Sequence, residues 1–399
     1  MNSVLPVKWV NFLTLSVLAF VFSPILSTQE TASPGALYVL CIIIPTLLYL
    51  PCVKLMPAKQ YHIAAIIMFV LLFLSSAISS VFSIDAVMKN LVFTIYFIFI
   101  TRYAFSGNNF VIGFRLYTIL AAVVAGLIIL SALFGYPHME SYYYTQRYSV
   151  GITGLFKNPN YLASFINVSF FVSLFCLFYK KKSIFELLIY LGCLVLFVIA
   201  IYLTGSRAAL ITLLVSLVAV MFNYSVNRKN GFWSIIPVLT FVFVLFYFRD
   251  TISNLFEVFV GGNREFLSDD GRSASWDVAF SKILESPLLG YGIDGWSTMN
   301  NRSGSMFYLH NVILELIVNQ GFLGFILFLF ILFQGCGRIK RKDRFFVCVF
   351  YFVTIFPLLF QNGVNEVNLW RMLILNRIVA NYSIYSKKGL YGLIANGNE

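Results

Sequence analysis

Charged side chains are scarce in this chain of 399 residues: 11% of them are Asp, Glu, Lys or Arg, whereas 60% are hydrophobic. The mean hydropathy is +0.85. Apolar runs recur along the chain, many of them near the length of about 20 residues with which a helix crosses a bilayer. A soluble core cannot bury this much apolar surface, so the composition excludes a soluble globular protein and predicts a polytopic helical membrane protein.

Histidine and cysteine are also rare. The chain has three histidines, His62, His138 and His310, so few side chains are available as a general base near neutral pH. All six cysteines lie within or beside apolar runs, which argues against a disulfide framework or a CxxC metal site. No small-residue cleavage site follows the first apolar run, which we therefore expect to be a retained span.

Twelve apolar runs are predicted as membrane-spanning helices. They are residues 7–26, 36–56, 61–82, 88–105, 111–135, 160–179, 184–204, 208–223, 232–248, 311–337, 345–361 and 370–386. Basic clusters at 180–182, 228–229, 338–344 and 387–388 fall on one side when the spans are counted alternately, and Lys and Arg are retained on the cytoplasmic side. We expect an all-α polytopic protein in which residues 1–399 form a single integral membrane domain with both termini in the cytoplasm. The net charge of +12 is then largely a topology signal, which gives no support to nucleic-acid binding.

The same count places three hydrophilic segments on the outer side: residues 136–159, the tight break at 204–207 and the long loop 249–309. The long loop has five basic and eight acidic residues, so its arginines are not a simple orientation signal. Within it, residues 276–285 carry apolar side chains at helical spacing opposite polar ones. This spacing predicts a short amphipathic helix that lies against the membrane or the bundle and that Pro287 ends.

Two short patterns lie at the outer ends of spans. Asn158-Pro159-Asn160 precedes an apolar run; because Asn caps helices and Pro fits the first turn, a plain helix start is one interpretation, and a substrate contact is compatible with it. In Leu203-Thr-Gly-Ser-Arg207, a hydrophilic break separates two apolar runs that are too close for an ordinary loop. Irregular backbone of this kind lines cavities in membrane proteins, which favours a function for Arg207 over a snorkelling arginine.

Two further patterns lie in and after the long loop. Arg272 stands at the amino end of the amphipathic helix, where a guanidinium beside helix N–H groups would bind a phosphate; the alternative is a solvated helix start capped by Asp and Ser. His310-Asn311 begins the next apolar run and is followed by Gly321 and Gly324. His310 is either a polar anchor at the interface or a general base.

Taken together, these patterns resemble the family of O-antigen ligases and O-antigen polymerases (Wzy-type), which are polysaccharide-assembling membrane glycosyltransferases. The resemblance covers roughly residues 150–335, and it rests on Gly154 to Ala163, Thr204-Gly-Ser-Arg-Ala-Ala209, Asp270-Gly-Arg-Ser with Trp276 and Ser286-Pro-Leu-Leu-Gly-Tyr-Gly292, and His310-Asn311 with Gly321 and Gly324. It implies a GT-C-like fold of about twelve membrane helices with a long, partly helical periplasmic loop. The implied reaction transfers a glycan from undecaprenyl diphosphate to an acceptor sugar hydroxyl at the periplasmic face of the bacterial inner membrane.

The resemblance also assigns roles to residues. Arg207 and Arg272 would stabilise the charge that develops on the diphosphate leaving group, and His310 would take the proton from the acceptor hydroxyl. Further substrate contacts are expected at Asn158, Asn160, Lys89 and Asn311.

No metal or other cofactor is expected. Related metal-dependent transferases place an acidic pair in the first outward loop, and here that loop offers only Glu30, while Asp269 and Asp270 have no third ligand in the sequence. The expected partners are the undecaprenyl-diphosphate-linked glycan, as donor and as acceptor, membrane lipids and a chain-length regulator.

Three functions remain open. A polymerase joins one lipid-linked chain to another lipid-linked repeat unit, whereas a ligase moves the finished chain onto the lipid A core. The Asn-Pro-Asn motif and the aromatic outer loop at 136–148 suit a site that holds glycan on both sides, and they therefore favour the polymerase. A flippase for the same lipid-linked sugars would need charge deep in the bundle across both leaflets, and only Arg377 lies well inside a predicted span, which favours an enzyme with an outward site.

Overall fold

The computed structural model of the chain describes residues 57–79, 84–102, 107–141, 144–150, 158–179, 183–226, 272–293, 295–296, 309–361, 367–386 and 390. Its helices are α1 (Gln60–Ile78), α2 (Ile84–Arg102), α3 (Gly107–Leu133), α4 (Pro159–Tyr179), α5 (Ile184–Leu203), α6 (Arg207–Val226), α7 (Arg272–Glu285), α8 (Val312–Phe333), α9 (Arg344–Ile355) and α10 (Val367–Tyr385). Short 3₁₀ turns cover Cys336–Arg338, Arg341–Asp343 and Phe356–Phe360. The predicted spans 7–26, 36–56 and 232–248 lie outside the described residues, and each of the other predicted spans coincides with a helix.

Six helical segments of the described part are long and apolar enough to cross a membrane. They are Gln60–Ile78, Pro159–Tyr179, Ile184–Leu203, Arg207–Val226, Val312–Arg338 and Arg341–Phe360. Helices α2, α3 and α10 are not among the six, and within α3 the residues Tyr117–Leu133 form a shorter apolar stretch. A mostly helical, multi-pass membrane protein is therefore confirmed, while the number of twelve spans stays a prediction.

One segment differs from the all-α expectation. The segment predicted as the loop 136–159 contains an antiparallel hairpin of β1 (Pro137–Ser141) and β2 (Tyr144–Tyr148). Met139 pairs with Arg147 in this hairpin. The tyrosines of this loop suit strands, because aromatic side chains pack well on a pleated surface.

The chain divides into two compact units. The first consists of residues 1–110, 269–340 and 358–386, and thus contains α1, α2, α7, α8 and α10. The second consists of residues 111–268, 341–357 and 387–399, and contains most of α3, the hairpin, α4, α5, α6 and α9.

In the first unit, a buried arginine joins three helices at one end. Arg377 of α10 is 1% exposed and donates to the carbonyl of Gln334 (2.8 Å) and to Oδ1 of Asn381 (3.2 Å). Its guanidinium also lies over the ring of Tyr61 in α1, 4.1 Å from the ring centroid. A buried charge without hydrogen bonds would destabilise the fold, so these contacts account for its position.

Contacts within this unit fix the relative direction of α1 and α8. Gln334, just after α8, donates to Gln60 at the start of α1 (3.1 Å). Near the other end of α1, Ser76 accepts from the N–H of Ile293 (2.6 Å), and the neighbouring Gly292 donates to the carbonyl of Asn319 in the first half of α8 (2.8 Å). The two spans are antiparallel, as alternate counting requires.

Which side each end faces is a prediction from the basic clusters. We expect reporter fusions at residue 270 to report the periplasm and fusions at residue 341 the cytoplasm, because Lys and Arg are retained inside. Alkaline phosphatase and green fluorescent protein fusions at both positions make this measurement. The same side for both positions would contradict the topology.

In the second unit, α4 forms the centre. Every residue from Tyr161 to Phe175 is buried, with α5, α6 and α9 packed around the helix. Asn167 of α4 donates to the carbonyl of Ala209 in α6 (3.0 Å). Phe171 and Phe175 pack on the ring of Phe346 in α9, with centroids 5.1 and 4.8 Å away.

Candidate functional site

His310 occupies a strained backbone position directly before α8. Its φ of +48° is the only positive φ of a non-glycine residue in the described part of the chain, and such a conformation is costly unless the surroundings enforce it. Asn311 follows as the N-cap of α8, and its Oδ1 accepts from the N–H groups of Ile313 (3.0 Å) and Leu314 (3.1 Å). This cap ends the strained turn and fixes the half-buried His310 at the amino end of α8.

Helix α7 is attached to the segment that carries His310. The indole Nε1 of Trp276 donates to the carbonyl of Leu309 (2.9 Å). Ala279 and Ile283 of α7 are buried in one cluster with Leu309 and with the first turns of α8. The helix that begins at Arg272 therefore packs against the residue that precedes His310.

The predicted amphipathic helix is confirmed in its position, and part of its predicted apolar face is buried. The helix ends at Glu285, two residues before Pro287. However, Phe280 (52% exposed) and Leu284 (80% exposed) point away from the cluster that buries Ala279 and Ile283. Apolar side chains thus lie on the outer face as well, which is typical of a helix at a membrane interface.

A polar contact fixes the end of α7. The Glu285 carboxylate accepts from Nζ of Lys282 (2.7 Å) and from the hydroxyl of Tyr291 (2.7 Å). These two bonds, with that from Lys282 the larger cause, hold the pKa of Glu285 below its usual value. Burial and the bond to Glu285 raise the pKa of Tyr291 to about 12.

Residues 286–293, which we call the docking segment, fill a break in α8. Gly321 has φ 63° and ψ −173°, so the helical hydrogen bonds stop there. The docking segment supplies replacements: the N–H groups of Tyr291 and Gly292 donate to the carbonyls of Val318 (2.9 Å) and Asn319 (2.8 Å). In the opposite direction, Phe322 donates to the carbonyl of Pro287 (2.8 Å).

Three serines at the carboxyl end of α1 bind the other side of the docking segment. Ser75 donates to the carbonyl of Gly290 (3.0 Å), Ser79 donates to that of Tyr291, and Ser76 accepts from Ile293. Gly290 and Gly292 let the main chain of the docking segment approach the main chain of α8 and of α1, because a Cβ on either glycine would clash with that backbone. No sequence signal pointed to the serines.

In the second unit, Asn158 starts α4. Its Oδ1 accepts from the N–H of Asn160 (2.9 Å), and its carbonyl accepts from Tyr161 (3.0 Å), directly after Pro159. The prediction of a helix start at this motif is confirmed. The flanking residues 151–157 lie outside the described residues.

The Thr204-Gly-Ser-Arg207 break is a tight turn between α5 and α6. Gly205 has φ +59°. The Thr204 hydroxyl donates to the carbonyl of Ile201 (2.6 Å) and accepts from the N–H of Ser206 (3.3 Å). Arg207 is half-buried and is the first residue of α6.

Arg147 of β2 connects these two motifs. Its Nε donates to the carbonyl of Thr204 (2.9 Å), and its Nη2 donates to Oδ1 of Asn160 (2.7 Å). Sequence reasoning did not find this residue, since it stands alone in a tyrosine-rich loop without a motif.

The remaining candidates have simpler surroundings. Lys89 is half-buried on α2, near Ala86 and Val87, which pack with Ile293 at the end of the docking segment. His62 pairs through Nε2 with the Thr101 hydroxyl (2.9 Å), so its ring belongs to the packing of α1 on α2. Within the described ranges, no group of three or more His, Cys, Asp or Glu side chains is placed to hold a metal ion; Asp269, Asp270 and Asp294 lie outside those ranges.

One comparison with known proteins bears on these motifs. Residues 192–329 match the model of a family described as O-antigen ligase. The matched range begins within α5 and ends within α8, so it contains Arg207, Arg272 and His310. No curated protein matches the chain at a significant level.

Proposed function

We propose that this chain is an O-antigen polymerase, and the match of residues 192–329 to the model of a family described as O-antigen ligase supports this proposal. It joins a glycan carried on undecaprenyl diphosphate to the acceptor sugar of another lipid-linked repeat unit. The reaction takes place at the periplasmic face of the bacterial inner membrane. The observation that best supports a site there is the packing of α7, which begins at Arg272, against the segment that holds His310.

The chemistry follows from the side chains. The acceptor hydroxyl oxygen attacks the anomeric carbon of the donor glycan, and the bond from that carbon to the phosphate oxygen breaks. His310 accepts the hydroxyl proton as the general base. The guanidinium groups of Arg207 and Arg272 bind the diphosphate and stabilise the negative charge that it gains as it leaves.

Other side chains contribute to binding. Asn158 and Asn160 face the glycan at the start of α4, and Lys89 is a further contact for the diphosphate. Asn311 uses its Oδ1 for the cap of α8, so it contacts substrate through Nδ2. The enzyme needs no metal in this scheme.

Two alternatives have different requirements. A ligase would use the same base and the same arginines, with lipid A core as the acceptor. A flippase would use buried charge along the bundle, and Arg371 as well as Arg377 is buried on α10. The hydrogen bonds of Arg377 to Gln334 and Asn381 give that charge a structural role, which favours the enzyme.

Reconstitution tests the function directly. The purified protein in proteoliposomes, supplied only with undecaprenyl-diphosphate-linked repeat units, is expected to produce a ladder of lengthening glycans on gel electrophoresis. Product only after addition of lipid A core would make the protein a ligase. Translocation of the lipid-linked sugar without a new glycosidic bond would make it a flippase.

The two arginines have a matched control. We expect Arg207→Lys and Arg272→Lys each to lower kcat by about 10²-fold, because an ammonium cannot bind phosphate oxygens bidentately and loss of one preorganised donor has effects of this size. Arg115→Lys, at an exposed position on α3, is expected to keep wild-type activity. Ladder formation by Arg272→Lys at the rate of the control would remove Arg272 from the site.

A further inference from the structure

Arg147 holds together the ends of three helices in the second unit. The carbonyl it binds belongs to Thr204, the C-cap of α5, which is 0% exposed. Its second acceptor, Asn160, lies in the first turn of α4. Between Thr204 and the first residue of α6, Arg207, only Gly205 and Ser206 intervene.

The guanidinium group is suited to this position. A cation at the carboxyl end of a helix interacts favourably with the helix dipole and satisfies a carbonyl that has no helical partner. Nε and Nη2 point in directions fixed by the plane of the group, so the two bonds together set the distance between the Thr204 turn and the start of α4. A lysine has one nitrogen on a flexible stem and cannot impose the same spacing.

We propose that Arg147 is a positioning residue for glycan transfer: it fixes the Thr204–Ser206 turn against Asn160, and thereby fixes the first turn of α6, which carries Arg207. This inference rests on the proposed function, in which Arg207 binds the departing diphosphate. Because Arg207 acts on charge that develops in the transition state, displacing it affects the chemical step more than the binding of the donor. A displacement of about 1 Å at a catalytic group costs up to about 10²-fold in rate.

Arg147→Lys is the central variant, with Arg115→Lys in the same unit as the control. We expect kcat for glycan transfer to fall by about 10- to 100-fold in Arg147→Lys, with a KM for the lipid-linked donor close to that of wild type. The Tm in detergent is expected to stay near that of Arg115→Lys, which keeps full activity. Arg147→Gln, whose single amide nitrogen can replace Nε at Thr204 but cannot also reach Asn160, is the second variant and is expected to lose at least as much activity as Arg147→Lys.

Cysteine labelling tests the position of the Thr204–Ser206 turn without an activity assay. Ser206 is 2% exposed, so a cysteine introduced as Ser206→Cys is expected to react slowly with a water-soluble maleimide, followed by mass spectrometry of the labelled peptide. Adding Arg147→Lys is expected to raise the labelling rate at least about fivefold as the turn loosens, whereas adding Arg115→Lys leaves it unchanged.

The outcomes separate the two hypotheses. A wild-type protein that transfers no glycan, but whose Ser206→Cys labelling responds to Arg147→Lys, contradicts the proposed function and leaves the positioning of the turn in place. Equal kcat and equal labelling in Arg147→Lys and Arg115→Lys overturn the inference. It is also overturned if neither Arg147→Lys nor Arg147→Gln accumulates as folded protein, since Arg147 is then a folding residue.

Discussion

Replacing His310 with alanine is expected to lower kcat by about 10²–10⁴-fold, the usual contribution of a general base, while binding of the lipid-linked donor stays near that of wild type. The reason lies in the division of roles, because the base acts on the acceptor hydroxyl whereas the arginines act on the donor diphosphate. Binding of a fluorescent donor and single-turnover transfer, measured on the same preparation, separate the two steps. The Arg207→Lys and Arg272→Lys variants serve as the comparison.

The pH dependence provides a second measurement on the same residue. Only the neutral imidazole accepts a proton, so transfer by the wild-type enzyme is expected to fall as the pH is lowered through the range in which the imidazole of His310 takes up a proton. In His310→Ala this inflection is expected to disappear from the residual activity. Normal transfer by His310→Ala, with donor and acceptor both saturating, would make His310 an interface anchor and direct the search for the base to Asp269, Asp270 and Asp294.

Replacing Gly321 with alanine is expected to destabilise the first unit by about 3 kcal/mol or more. A Cβ at this position would lie under 3.0 Å from the carbonyl oxygen of Leu288, which is backbone and cannot rotate away. Overpacking of this kind costs about 1–3 kcal/mol, and the positive φ adds strain of similar size. We expect the Tm in detergent to fall by roughly 5–10 °C and transfer activity to be lost as the docking segment leaves the break in α8.

Two helical glycines provide the control. At Gly126 in α3 and at Gly192 in α5, a Cβ would meet nothing within 4 Å. Gly126→Ala and Gly192→Ala are therefore expected to be neutral or slightly stabilising, because alanine restricts the unfolded chain. A Tm for Gly321→Ala equal to those of the two controls would show that the docking segment is not held as described.

Features with a local cause were predictable from the sequence. Hydropathy located the described spans, helical spacing located α7, and the Asn158-Pro159 pair located the start of α4, because each of these signals acts over one or a few turns of chain. The motifs at Arg207 and His310 were found for the same reason, since Arg207 stands in a hydrophilic break between two apolar runs and His310 directly precedes one.

Features that depend on distant contacts were not predictable. The bond from Ser75 to Gly290 joins residues 215 positions apart, and nothing near Ser75 indicates its partner. Arg147 acquires its role only when the hairpin reaches Thr204, 57 positions later. Phe280 and Leu284 matched the apolar spacing of α7, but the bundle covers only the side that carries Ala279 and Ile283.

The break in α8 has a consequence for how the site responds to the lipid around it. Spans adjust to bilayer thickness by tilting. In an unbroken helix, a tilt of one half displaces the opposite end. Here residues 312–320 are bonded to the docking segment and packed against α7, while residues 322–333 continue the span beyond Gly321. The docking segment is bonded to α8 on both sides of the Gly321 break and also to α1, so we expect it to keep His310 in position when the rest of α8 tilts with the membrane.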